Sequence, residues 1–190
     1  MLNRCEWCLK DEIYLHYHDI EWGVPVHDDQ KLFEFLILEG AQAGLSWLTV
    51  LRKREAYREA FEGFDPEKVA GYNQDKIFEL LNNHGIIRNR LKIEAAVKNA
   101  KAFLMIQEEM GSFDRYIWNF VEGKTLQNKF TTLKEIPAET EISRIISKDM
   151  KKRGFSFVGP TIIYSQMQAT GMVNDHLINC HRYEELGGII

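Results

Sequence analysis

The chain has 190 residues, 45% of them hydrophobic and 12% aromatic. That is enough apolar material for one packed domain over residues 1–190, and it excludes a disordered or low-complexity protein. Lys and Arg number 24 against 28 Asp and Glu, a formal charge of −4, which taken alone argues against a nucleic-acid partner.

No apolar run approaches the ~20 residues needed to span a bilayer. The longest, Leu32 to Leu38, is interrupted by Glu34, so no membrane association is expected. Met1 is followed closely by Asn3, Arg4 and Glu6, which is not a secretory leader. The three cysteines are an odd number. They read as free thiols in a reducing, cytoplasmic setting rather than as a disulfide framework.

The segment from Cys5 to His18 reads as loop-like, and Trp7, Tyr14, Tyr17 and Trp22 lie in or near it. Asp28 or Asp29 can cap a helix through Lys31–Glu39, and Ser46 another through Trp47, Val50, Leu51, Tyr57 and Phe61. Asp65-Pro66 reads as a cap with first-turn proline, and Asn73 can cap Asp75–Leu81. A long helix follows Arg88 and stops at Gly111. Ser112 caps Phe113–Val121, and Gly123–Pro137 reads as loop. Thr140 opens a helix to Arg153 that Gly154 ends, and a last helix starts near Pro160 and ends at Gly171. No pair of alternating runs predicts a sheet, so the fold class is all-α.

Glu39 is the carboxylate that stands out. It follows Leu36, Phe35 and Leu32 by three, four and seven residues, so a helix puts it on the apolar stripe. It also falls at the expected helix C-terminus, where the macrodipole disfavours an anion. Two local costs on one residue point to function; a frayed helix end that turns the carboxylate to water is the alternative. Aromatic residues crowd the same quarter of the chain, including Trp47. Rings with one carboxylate make a receptor for a flat cation, and a plain aromatic core is the other reading.

Two connections carry a nucleic-acid rationale. Gly40–Ser46 is small and flexible, and Leu45 at its end suits a wedge into a base stack or a staple on the next helix. Lys151-Lys152-Arg153-Gly154 leads through Phe157 to Gly159-Pro160. Two glycines permit a tight turn, and a helix N-terminus beside basic side chains suits a phosphate. Basic residues also cluster at Arg52–Arg54 and at Arg88, Arg90 and Lys92, as three solvated helix ends or one basic face.

Cys5 and His18 near the N-terminus, with His176 and Cys180 near the C-terminus, are a possible zinc set that would tie the two ends together. On a helix His176 and Cys180 share one face. Spacing alone leaves Cys8, His16, His27 and His181 in competition for these places.

Several strings in this chain are long and specific: Arg4-Cys5-x-Trp7, Tyr17-His18-Asp19-x-Glu21-Trp22-Gly23-Val24-Pro25, Leu38-Glu39-Gly40-Ala41-Gln42-Ala43-Gly44-Leu45-Ser46-Trp47, Gly85-Ile86-Ile87-Arg88, Lys152-Arg153-Gly154-Phe155-x-Phe157-Val158-Gly159 and Val173-Asn174-Asp175-His176-x3-Cys180. With them the chain resembles, over nearly its whole length, the 3-methyladenine DNA glycosylase I family, a bacterial branch of the helix–hairpin–helix glycosylases. The resemblance implies the helix–hairpin–helix glycosylase fold, with a lobe from residues 1–30 and 172–190 held by one structural zinc on Cys5, His18, His176 and Cys180. It implies a base pocket of Glu39, Tyr17 and Trp47 with Trp7 and Trp22 nearby, Glu39 being the catalytic residue. DNA contacts follow at Gly44, Leu45, Lys152, Arg153, Gly154 and Gly159. The implied partner is double-stranded DNA containing alkylated adenine, and the implied state is a monomer. Many relatives in the wider superfamily carry a catalytic aspartate where Asn174 stands. This branch lacks it; Asp175 reads as a residue that orients its metal-ligand neighbour, and a shifted substitute for that aspartate is the alternative.

Overall fold

The structure is a computed structural model that describes residues 2–189. Met1 and Ile190, the ends of the domain expected from the sequence, lie outside the described residues. The fold is nearly all helix: α1 (Glu12–Ile20), α2 (Asp29–Gln42), α3 (Trp47–Leu51), α4 (Arg54–Ala60), α5 (Pro66–Ala70), α6 (Gln74–Asn82), α7 (Arg90–Met110), α8 (Phe113–Trp118), α9 (Glu141–Lys152), α10 (Pro160–Ala169) and α11 (His181–Glu185).

Local capping chemistry explains most boundaries. Asp28, Ser46, Asp65, Asn73, Ser112 and Thr140 each accept a hydrogen bond from a first-turn amide of the helix they precede. Gly111 ends α7 at φ +88, a left-handed position that glycine enters without a Cβ penalty.

The structure corrects four expectations. The N-terminal segment is not a loop: Glu6–Lys10 forms a 3-10 turn and Glu12–Ile20 a helix capped by Asp11. The helix expected from Ser46 to Phe61 is two, because the chain kinks at Arg52-Lys53 before α4. α2 does not end at Glu39, nor fray there as the alternative had it, but continues to Gln42, so Glu39 is not the C-terminal residue of the helix. Residues 175–180 are a turn rather than a helix. A two-residue parallel pairing of β1 (Leu126–Gln127) with β2 (Val173–Asn174) is the only sheet among the described residues.

α2 is the central element. Every residue from Leu32 to Ala41 is buried, as a helix enclosed on all sides requires. α7 and α8 pack on one side of it and α10 on another. Fully buried side chains such as Phe33, Leu36 and Leu38 each stabilise the core by about 1.5–3 kcal/mol. The enclosure also buries two acids. Glu34 is answered by Arg54 and Arg58, and Arg54 also bonds Glu21. No cation pairs with Glu39 among the described residues.

The N- and C-terminal segments are hydrogen-bonded to each other. Asn3 donates to the carbonyl of Asn179 at 2.6 Å, and His181 N–H donates to the carbonyl of Asn3 at 2.9 Å. The turn at residues 23–26 lies on the end of α10, where Gly23 N–H donates to Gln168 O and Val26 N–H to Thr170 O. Gly171 makes this close approach possible. Its φ is +70, and a Cβ there would stand 2.5 Å from Val24 C and 2.7 Å from Gly23 O. We expect Gly171→Ala to lower stability by roughly 2–4 kcal/mol, combining left-handed strain with overpacking against backbone. Chemical denaturation checks this, and an unchanged midpoint would show that the lobe is not held at this turn.

Candidate active site and metal cluster

A cavity of about 300 Å³ opens where the N-terminal lobe meets α2, α3 and α10. That size lies at the small end of the ~300–1,000 Å³ usual for small-molecule sites. Trp7, Tyr14, Tyr17 and Trp22 line it from the lobe. Glu39 and Gln42 come from α2, Trp47 from the start of α3, Ser165 and Gln168 from α10, and Ile136 from the loop after β1. Every pocket residue expected from the sequence is therefore brought together here.

The aromatic walls hold one another. Trp47 and Tyr17 lie with ring centroids 5.6 Å apart, and Trp7 meets Trp22 edge-on at 5.1 Å and Tyr14 at 5.4 Å. Tyr14 also accepts a hydrogen bond from Leu48 N–H at 2.9 Å, which fixes the first turn of α3 beside Trp47. Glu39 is 3% exposed, and its Oε2 finds no hydrogen-bond donor among the described residues. Burial pushes its carboxyl up to about 8. Burial also raises the Tyr17 hydroxyl far above its ordinary range, with a further push from the charge of Glu39. Trp47 Nε1 is buried and likewise without a partner among the described residues. Folded proteins seldom leave buried polar atoms unanswered. An unpaired acceptor and an unpaired donor at one aromatic cavity therefore point to a flat polar ligand.

Sequence reasoning missed Gln42, Ser165, Gln168 and Ile136 and did not place Tyr14 in the pocket. Gln42 is one helical turn beyond Glu39, so the period of α2 carried a signal for it. Ser165 and Gln168 share a face of α10, but which face of α10 meets α2 is a tertiary fact. Ile136 arrives on a loop with no periodicity to read.

The loop after α2 lies at the cavity rim. A smaller space of about 170 Å³ is lined by Glu39, Gln42 and Ser165, which also line the main cavity, and by Gly44 and Leu45. Gly44 has φ +80, and Leu45 is 44% exposed. Lys92 holds the loop by donating to the carbonyls of Ala41 at 2.8 Å and Ala43 at 2.6 Å.

That bond gives one expected basic cluster a structural task. So do the Arg52–Asp11 pair and the buried Arg54 network. Arg153 is similarly engaged: it binds Glu109 at 2.6 Å and Asp149 at 2.8 Å and stacks on Tyr116. Among the described residues, the cations without an acid partner at the turn between α9 and α10 are lysines. Lys148, Lys151 and Lys152 line a groove with Arg144, Ser147 and Pro160. Gly154 turns the hairpin at φ +96, and Gly159 precedes the first turn of α10. Neither glycine has a described atom within 4 Å of where a Cβ would stand.

Behind the aromatic wall, Cys5, His18, His176 and Cys180 are all buried, with their ligand atoms within 4.8 Å of one another. Cys180 Sγ is 3.4 Å from His18 Nε2 and 3.6 Å from His176 Nδ1, and Cys5 Sγ is 3.8 Å from His176 Nδ1. A tetrahedral ion with sulfur at ~2.3 Å and nitrogen at ~2.0 Å requires S···N edges of about 3.5 Å. The outer nitrogens are already engaged: His18 Nδ1 with Asp19 at 2.8 Å, and His176 Nε2 with Trp22 O at 3.0 Å. These bonds aim the other nitrogen of each ring into the cluster, as metal-ligating histidines require. The four residues can therefore hold a metal ion. The rival ligands point elsewhere. Cys8 donates its S–H to Cys5 O at 3.0 Å, His27 pairs with Asp114, His181 bonds Asn3 O, and His16 is exposed. His176 and Cys180 converge through a turn closed by Cys180 N–H to Leu177 O, not through a helix face.

Known proteins resemble this chain over nearly its whole length. The curated DNA-3-methyladenine glycosylase of Haemophilus influenzae is 51% identical over 180 residues, which cover 95% of this chain and 97% of that protein. A crystal structure of 3-methyladenine DNA glycosylase I superposes with a TM-score of 0.92 at 49% identity, covering 94% of this chain and 98% of that one. A single-residue variant of 3-methyladenine DNA glycosylase I, solved in complex with 3-methyladenine, superposes with a TM-score of 0.91 at 39% identity, covering 95% and 97%. The profile of the methyladenine glycosylase family matches residues 7–183. The chain belongs to the methyladenine glycosylase family.

Proposed function

We propose that this protein is a DNA repair glycosylase that hydrolyses the N-glycosidic bond of 3-methyladenine in alkylated double-stranded DNA, releasing the free base and leaving an abasic site. The observation that carries the reading is the unpaired carboxylate oxygen of Glu39 inside an aromatic cavity.

A base in a duplex is out of reach, so the nucleotide is extruded into the cavity. Attached to deoxyribose, 3-methyladenine carries a positive charge. Trp47 and Tyr17 hold its faces, with Trp7 and Trp22 behind them, and Glu39 accepts hydrogen bonds from its edge. The cation favours the ionised carboxylate and draws the Glu39 proton out on binding. The C1′–N bond breaks toward an oxocarbenium-like sugar, its electron pair neutralises the departing base, and water adds at C1′ and gives up one proton to solvent. A leaving group already charged needs no proton from a general acid. This accounts for Asn174 in the place of an aspartate. Asp175 is engaged elsewhere, accepting from Asn128, Tyr164 and Gln168.

Leu45, with Gly44 beside it, fills the gap left in the stack. Lys152 and the bare backbone at Gly154 and Gly159 receive phosphates at the helix–hairpin–helix turn, and Arg153 supports that turn from within. The cluster of two thiolates and two imidazoles suits one zinc. Bound there, zinc balances the thiolate charge and ties the chain ends; with four protein ligands it has no open place for a catalytic water. The protein acts as a monomer in the cytoplasm.

Incubation with methylated duplex DNA and chromatography of the released bases tests the reading. We expect 3-methyladenine to be released and the strands to remain intact until the abasic sites are cleaved by alkali. A protein that binds this DNA but releases no base is a binding module, and the reading fails.

A further inference from the structure

The cavity contains a polar group that the proposed mechanism does not use. Gln168 lines the wall contributed by α10, and its amide is not free to turn. Its Nε2 donates to Asp175 Oδ2 at 2.7 Å. Asp175 is 1% exposed and accepts two further bonds, from Tyr164 Oη at 2.6 Å and from Asn128 Nδ2 at 2.6 Å. Three donors converge on the two oxygens of one carboxylate. The NH2 half of the Gln168 amide must therefore face Asp175. The backbone is pinned as well, because Gln168 O accepts from Gly23 N–H at 3.0 Å, immediately after Trp22. What remains is Gln168 Oε1, an acceptor with no partner among the described residues.

We propose that Gln168, with its amide direction fixed by Asp175, is a specificity-determining residue that accepts a hydrogen bond from the exocyclic 6-amino group of the purine. This inference rests on the glycosylase reading of the same cavity. Asp175 is then a positioning residue for Gln168, tied also to Asn128 and Tyr164. An amino group at C6 carries two N–H donors, so it serves both Glu39 Oε2 and Gln168 Oε1. A 6-oxo purine presents an acceptor at that position, directed at an acceptor that cannot flip. A site built around a hydrogen bond rejects an analogue that lacks the partner group more strongly than an apolar pocket does.

The test uses two free bases that differ at C6, 3-methyladenine and 3-methylhypoxanthine. Titrations are followed through the fluorescence of the cavity tryptophans. The wild type is expected to favour 3-methyladenine by at least about tenfold, the usual size of one lost hydrogen bond to a polarised donor. Gln168→Met keeps the length of the side chain and removes the acceptor. It should reduce the preference by about tenfold, through weaker 3-methyladenine binding, with metal content unchanged. A wild type that binds both bases equally overturns the inference before any variant is made. A Gln168→Met protein that keeps the wild-type preference, or loses both ligands in equal measure, also overturns it. A wild type that binds neither base and releases none from methylated DNA fails the glycosylase reading instead, and the inference with it.

Discussion

Replacing Glu39 by Gln is expected to lower 3-methyladenine release by about 10²–10³-fold, the range seen when a preorganised electrostatic partner is removed from an enclosed site. The substitution keeps the shape and one acceptor oxygen, but removes the negative charge that answers the cationic base and sets an NH2 group where Oε2 stands. Binding to abasic DNA should hardly change, since the loop at Leu45 and the hairpin at Lys152 are untouched. Release at the wild-type rate would remove Glu39 from the mechanism.

The same substitution should stabilise the free protein, and the sign follows from burial. The Glu39 carboxyl is pushed up to about 8 in the fold, from an ordinary 4.5, so folding favours its protonated form. This favourable state is fully present below pH 4.5. Stability is lost as pH rises toward 8, by on the order of 4 kcal/mol over the window. The amide introduced by Glu39→Gln never ionises. The variant's advantage in thermal unfolding should therefore be small near pH 5 and largest near pH 8, while its residual activity should lose the dependence on pH that proton loss from Glu39 imposes on the wild type. Parallel stability curves for the two proteins from pH 5 to 8 would show that the buried carboxylate carries no such strain.

How much of this was legible beforehand depends on the range over which each feature is decided. Helix starts were legible because a cap is a contact within four residues: Asp28 to Lys31 N–H, Ser46 to Thr49 N–H, Asn73 to Lys76 N–H. The kink at Arg52-Lys53 was not, because it answers to partners far off in sequence: Asp11 for Arg52, the carbonyls of His84 and Gly85 for Lys53, and Glu21 and Glu34 for Arg54. Glu39 could be singled out because its conflict with the apolar stripe is written into α2 itself. The basic clusters misled for the opposite reason. Charge is visible in a sequence but its partners are not, and Lys92 and Arg153 turned out to serve backbone carbonyls and acids of this same chain. The four residues that cluster behind the pocket were those the resemblance named. Spacing alone gave the wrong local picture, since His176 and Cys180 meet through a turn that Asn174 supports by accepting from His176 N–H.

That ligand set carries the second large effect. Cys180→Ala is expected to abolish metal retention and lower stability by about 4 kcal/mol or more, in the tail reserved for the loss of a metal or a buried network. Structural zinc contributes ~10–16 kcal/mol in isolated zinc peptides. Here the main core around α2 and α7 is a cluster separate from the one that holds Cys5 and Cys180, so the loss should be smaller and confined to the lobe. The cluster has its own reason to need a cation. Cys5, with His176 and His18 adding to the effect, holds the buried Cys180 thiol far below its ordinary range. Damage should spread from there to the base cavity by a short route. His176 holds the carbonyl of Trp22, its ring lies 4.6 Å from the Trp22 ring, and Trp7 packs on His18 at 5.4 Å. The variant should therefore bind 3-methyladenine more weakly and show altered tryptophan emission while keeping most of its helical circular dichroism. Cys8→Ala is the control: its S–H serves only the carbonyl of Cys5, and plasma mass spectrometry should find the variant's metal content equal to that of the wild type. Wild-type protein purified without chelators and found free of metal would contradict the assignment, because nothing else in that cluster balances a buried thiolate between two imidazoles whose free nitrogens both face it.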